Sequence, residues 1–76
     1  MGHYSKFKVA ILGFGLEGQD AARYFMGQGS TVTILDKKPK EELDTTDFDG
    51  LGLTWICGPD YLKGGLKEFD IIVRGV

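Results

Sequence analysis

The 76-residue sequence has a single cysteine, so it cannot close an internal disulfide. That fits a reducing compartment, and a cytoplasmic protein is expected. It has one histidine, His3, with no second ligand near it, so no metal site is expected there. No apolar run approaches 18 residues, which argues against a helical membrane span. The first residues are polar and lead straight into an apolar strand, unlike a signal peptide. A basic excess is also missing. Nine Lys and Arg face eleven Asp and Glu, for a net charge of −2, and the basic residues are scattered. A nucleic-acid-binding surface is therefore not expected. There is no fixed-period repeat and no low-complexity tract. A chain this short makes one small domain and buries only about 60% of its unfolded surface, so its stability is expected to be marginal.

Glycine is plentiful, with twelve residues, and its placement carries the main signal. The run Val9-Ala10-Ile11-Leu12 stops at Gly13-Phe14-Gly15-Leu16-Glu17-Gly18, and a helical pattern follows. This is the strand–turn–helix start of a nucleotide-binding βαβ unit. Gly13 allows the tight turn, Gly15 lets backbone approach a phosphate, and Gly18 lets the helix sit close to the strand. The N–H groups of the first helical turn then face an anion. The plain alternative is a glycine-rich turn that binds nothing.

The first strand is predicted over 8–12 and the helix over 15–28. Gly18, Ala21, Ala22, Phe25 and Gly29 form an apolar stripe of small residues and one large one. Gly29 is a natural C-cap. A β-branched strand over 31–35 ends at Asp36, 18 residues after Gly18. A carboxylate there reaches the ribose hydroxyls of a bound nucleotide. Alternatively, Asp36 simply starts a turn. Residues 37–53 form a long polar connection, expected to be mobile, with one helical turn over 40–43 and with Phe48 and Leu51 pinning it to the sheet edge. A third strand is predicted over 53–57, a short helix over 61–67 broken by Gly64-Gly65, and a fourth strand over 69–73. Cys57 is expected to be a mostly buried, unreactive thiol.

Strands alternating with crossovers argue an α/β fold, a Rossmann-like parallel sheet of four strands. Right-handed crossovers give the order 3-2-1-4, with the first two crossovers on one face and the third on the other. The second face is left incompletely covered, which suggests the first domain of a longer, multidomain protein. The ligand crevice falls between the first and fourth strands, lined by residues 13–18, Asp36, Arg74 and Gly75.

With these residues placed, the chain resembles the N-terminal domain of the Mur ligases, most of all the branch that adds D-glutamate to UDP-N-acetylmuramoyl-L-alanine. The likeness rests on residues 8–18, on the second strand closing at Asp36, on Gly52-Leu-Thr-Trp-Ile-Cys-Gly58, and on Phe69-Asp-Ile-Ile-Val-Arg74. It implies a domain that anchors the UDP end of the substrate in cell-wall peptidoglycan synthesis. It also implies ATP and Mg²⁺, held by other domains of the same protein. There the muramoyl-alanine carboxylate is activated as an acyl phosphate, and D-glutamate displaces the phosphate. By that resemblance Leu16 and Glu17 contact the nucleotide, Asp36 meets the uridine with Lys37 and Lys38 beside it, and Arg74 and Gly75 lie in the segment after the fourth strand. No cofactor and no catalytic residue is expected in this domain.

Two positions depart from the family. Glu17 stands where Ser or Thr is usual, and a carboxylate repels a pyrophosphate, so Glu17 must point away or the phosphates must sit displaced. Gly75-Val76 stands in place of the usual Ser-Pro. The alternative is an NAD- or FAD-binding Rossmann module of an oxidoreductase or regulator. For that reading Asp36 suits NAD better than NADP, since it would repel a 2′-phosphate.

Overall fold

The computed structural model describes residues 6–74. His3 and Gly75 lie outside the described residues. The chain runs β1 (Lys8–Leu12), α1 (Leu16–Gly27), β2 (Thr31–Asp36), a 3₁₀ turn (Lys40–Glu42), β3 (Thr54–Cys57) and β4 (Ile71–Arg74). The strands form one parallel sheet in the order β3-β2-β1-β4. The order, the parallel pairing and the one α-helix among the described residues are those of a Rossmann-like α/β sheet.

Side-chain alternation splits the sheet into two unlike faces. Val9, Ile11, Val32 and Ile34 face α1 and are buried, with Trp55, Ile71 and Val73 packed against them. Ala22 of α1 is fully buried on this face, and Ala21, Phe25 and Met26 pack beside it. Phe48, from the β2–β3 connection, joins the same core and is 2% exposed. The first two crossovers therefore share a face, as the right-handed rule requires. On the opposite face the centre is closed by Ala10, Thr33 and Leu35. Its margins are open: Ile56 and Ile72 are 38% and 46% exposed.

The helix ends as its sequence requires. Gly29 has φ +83, open to glycine at little cost. The Gly29 N–H donates to the Met26 carbonyl at 3.0 Å, and the Ser30 N–H donates to the Phe25 carbonyl at 3.1 Å. These two bonds make a Schellman cap.

Four expectations need correction. Residues 61–67 form turns and no helix: Gly64 and Gly65 interrupt the segment, and Gly65 has φ +76. The fourth strand begins at Ile71, two residues late. Asp70 occupies the strand start instead, its N–H donating to the Lys8 carbonyl while its carboxylate accepts the Lys8 N–H, both at 2.8 Å. Leu51 does not pin the connection; it is half exposed, and Phe48 alone of the two is buried. Cys57 is half-buried, because β3 is an edge strand.

Candidate functional site

The carboxyl end of β1 turns sharply into α1. Gly13 takes φ +94, a conformation other residues rarely adopt. Its N–H donates to the Leu35 carbonyl at 2.8 Å, extending the β1–β2 ladder by one step. Gly15 precedes the helix with extended backbone, and no side chain caps the helix start. The N–H groups of Leu16, Glu17 and Gly18 have no partner one turn back, so the helix presents donors and the positive end of its dipole at this edge. Gly18 is buried against the preceding turn. A Cβ there would run into the carbonyl oxygen of Gly13 and reach 3.4 Å from Ile11 Cγ2. The sixth position of the glycine motif is thus a packing glycine.

Asp36 has a larger structural part than its sequence position suggested. Its Oδ2 accepts the Phe14 N–H and its Oδ1 accepts the Lys38 N–H, each at 2.8 Å. The second bond is the Asx turn of a turn-starting aspartate. The first ties the end of β2 to the glycine loop. Asp36 also lines a cavity at the carboxyl end of the sheet, so the turn-forming carboxylate borders the candidate site. Asp36→Ala leaves the part-buried Phe14 N–H without its carboxylate, while water can replace the exposed bond to Lys38, and a hydrogen bond to a charged group contributes about 1.5–3 kcal/mol. The substitution is expected to lower the urea midpoint by a corresponding amount, and an unchanged midpoint would show these bonds to be dispensable.

A cavity of about 390 Å³ opens above the carboxyl ends of β1, β2 and β4. Its floor is Leu12 and Gly13, with Asp36 and Lys37 from β2 and the turn after it, and Arg74 from β4. Leu12 and Arg74 are register partners, so Arg74 flanks β1 on the side opposite Asp36. Tyr61 and Leu62 close the remaining side. Of the residues expected at the site, Gly13, Asp36, Lys37 and Arg74 are brought together. Gly15, Leu16, Glu17 and Gly18 lie beyond the cavity lining, along the helix start, and Lys38 lies outside it too. Glu17 is exposed at the start of α1. Tyr61 and Leu62 were not anticipated. Their signal was present in the topology: the segment after β3 leaves the sheet at the same end as the glycine loop.

Cys57 pairs with Asp36 in the β2–β3 register. Partial burial, and then the Asp36 charge, push its thiol above the usual range, with Lys40 opposing more weakly. A raised value leaves less thiolate at neutral pH. Alkylation of the native domain at pH 8 is expected to run slower than alkylation of the urea-unfolded chain; equal rates would contradict this.

Among the described residues, no group of three or more His, Cys, Asp or Glu could hold a metal ion. Nor is any helix among them long and apolar enough to cross a membrane.

No family model matches the chain, and no solved structure matches it. Curated relatives of two kinds do. An alanine dehydrogenase of Staphylococcus haemolyticus is 39% identical over 72 residues, which is 93% of this chain and 19% of the relative. A UDP-N-acetylmuramoylalanine–D-glutamate ligase of Limosilactobacillus fermentum is 33% identical over 72 residues, 93% of this chain and 16% of the relative. The corresponding ligase of Ruminiclostridium cellulolyticum is 35% identical over 69 residues, 88% of this chain and 15% of the relative. The chain spans less than a fifth of the length of these relatives, and it is a Rossmann-like domain similar to a part of each.

Proposed function

We propose that this domain binds a nucleoside diphosphate at the carboxyl ends of β1, β2 and β4, and that the ligand is the UDP end of UDP-N-acetylmuramoyl-L-alanine. The observation that carries the nucleotide reading is the cavity that joins the glycine turn, Asp36, Lys37 and Arg74. A phosphate reaching past the cavity from Gly13 to the start of α1 meets the uncapped N–H groups there. Lys37 and Arg74 offset the charge of a pyrophosphate. Asp36, with lone pairs remaining on both oxygens, accepts from a ribose hydroxyl or a base N–H.

The uridine reading is supported by the D-glutamate ligases among the relatives. It is supported as well by the resemblance that extends past the glycine motif into β3 and β4. On this reading the whole protein is an ATP-dependent acid–amino-acid ligase, and this domain anchors the substrate's nucleotide while the reacting carboxylate is presented elsewhere. ATP and Mg²⁺ are assigned to other domains on this reading, since the chain has no Gly-Lys-Ser/Thr loop. No catalytic step is assigned to this domain, and none is expected of it alone.

A second reading is favoured by the alanine dehydrogenases, at 37–41% identity in the Staphylococcus relatives. In it the same cavity takes NAD, with Asp36 on the ribose diol. Calorimetric titration separates the two. The uridine reading expects a dissociation constant near the millimolar range for UDP-N-acetylmuramoyl-L-alanine, about 4 kcal/mol, as two or three solvent-exposed hydrogen bonds can supply. It expects weaker binding of NAD. Tighter binding of NAD would transfer the domain to the dehydrogenase reading.

A further inference from the structure

We infer that Tyr61 stacks on the nucleobase and makes the site selective for ligands that carry a base. This rests on the nucleotide reading above and deepens it. The cavity is divided by chemistry. Asp36, Lys37 and Arg74 are polar, whereas Leu12, Tyr61 and Leu62 present apolar surface. A sugar or a bare phosphate set against the second group would lose hydrogen bonds to water and find only the Tyr61 hydroxyl in return. A flat heterocycle suits it, because its faces are weakly hydrated and stack on an aromatic ring.

The position of Tyr61 is built, too. The Gly58 N–H donates to the Asp36 backbone carbonyl at 2.9 Å, and the Tyr61 N–H donates to the Gly58 carbonyl at 3.1 Å. Two hydrogen bonds thus carry the chain from the residue that meets the ribose or base edge to the residue that meets the base face. Tyr61 is half-buried, held by this turn, and it lines the cavity. The β3–β4 connection thereby supplies a base-side wall, without a helix of its own.

The test uses the 76-residue chain with Tyr61→Leu and Tyr61→Phe, titrated with UDP and with ribose 5-phosphate. Tyr61→Phe is expected to bind UDP within about twofold of the parent, since the ring is kept. Tyr61→Leu is expected to bind UDP about tenfold more weakly, within the range for one base–aromatic stack, and ribose 5-phosphate unchanged. In the parent, nuclear Overhauser effects are expected between the Tyr61 ring and uracil H5 and H6, and these decide the matter even if the Leu variant fails to fold. Equal loss for both ligands, or undiminished UDP binding by the folded Leu variant, overturns the inference. If UDP moves the amides of residues 13–18 and Asp36 but no such Overhauser effect appears, the stacking role falls and the nucleotide site stands. If UDP moves none of them, both fall.

Discussion

Phe48→Ala is expected to cost about 3–5 kcal/mol, as truncation of a buried aromatic does. For a domain of this length, total stability is on the order of 4–11 kcal/mol, so much of it would go. The reason is the position of Phe48 within the β2–β3 connection. Its ring lies edge-on to Phe14, with centroids 4.9 Å apart, and Phe14 in turn lies edge-on to Trp55 at 5.1 Å. Phe14 stands between the first two glycines of the motif and is 4% exposed. Three aromatic rings therefore join the glycine loop, the long connection and an edge strand. Arg23 covers the outer side of Phe48 at 5.0 Å, but its ion pairs with Asp20 and Asp47 are exposed and contribute little. Equilibrium urea unfolding measures the effect. A loss below about 1 kcal/mol would show that the connection is not part of the core, whereas Phe48→Leu should restore a large part of what Ala removes.

The second large effect is expected at Gly18. Both Gly18→Ala and Gly18→Val should destabilise by about 1–3 kcal/mol or more, because the offending atom is the Cβ they share. That atom meets the backbone carbonyl of Gly13, which cannot rotate aside as a side chain could. Relief requires α1 to lift from β1 or the Gly13 turn to open, and either disturbs the site. The higher helix propensity of Ala offsets about 1 kcal/mol at most. Gly27 provides the contrast within the same helix. A Cβ there meets nothing within 4 Å, so Gly27→Ala should be neutral or stabilise by up to about 1 kcal/mol. Thermal unfolding of the three variants tests the pair. Similar melting temperatures for Gly18→Ala and the parent would contradict the close packing.

These residues also show what could be seen in the sequence and what could not. The glycine motif made the β1–α1 turn and the packing role of Gly18 visible, because each glycine there answers a local steric demand. Apolar runs ending at Leu12, Asp36 and Cys57 located three strands, and crossover handedness gave their order with β4. What was hidden depends on tertiary contacts. Nothing local tells Phe48 from Leu51, yet one is buried and the other exposed; the difference is the Phe14–Trp55 pair waiting on the sheet. Phe14 could not be ranked as core, since its flanking glycines drew attention to the turn. In residues 61–67 the break at Gly64-Gly65 was legible, and it extends to the whole segment, which forms turns. At the site, Asp36 was legible by its offset from the motif, but its hold on the Phe14 and Lys38 amides was not. Tyr61 and Leu62 became visible only once the end of β3 had been placed beside Asp36.

The central claim is that a nucleoside diphosphate sits across the glycine turn and Asp36. The most direct measurement is a two-dimensional ¹H–¹⁵N titration of the labelled chain with UDP. The predicted result is that the largest amide shifts fall at residues 15–18 and 36–38, with Arg74 following. Shifts confined to the open face around Ile56 and Ile72, or no saturable shift at millimolar UDP, would contradict it.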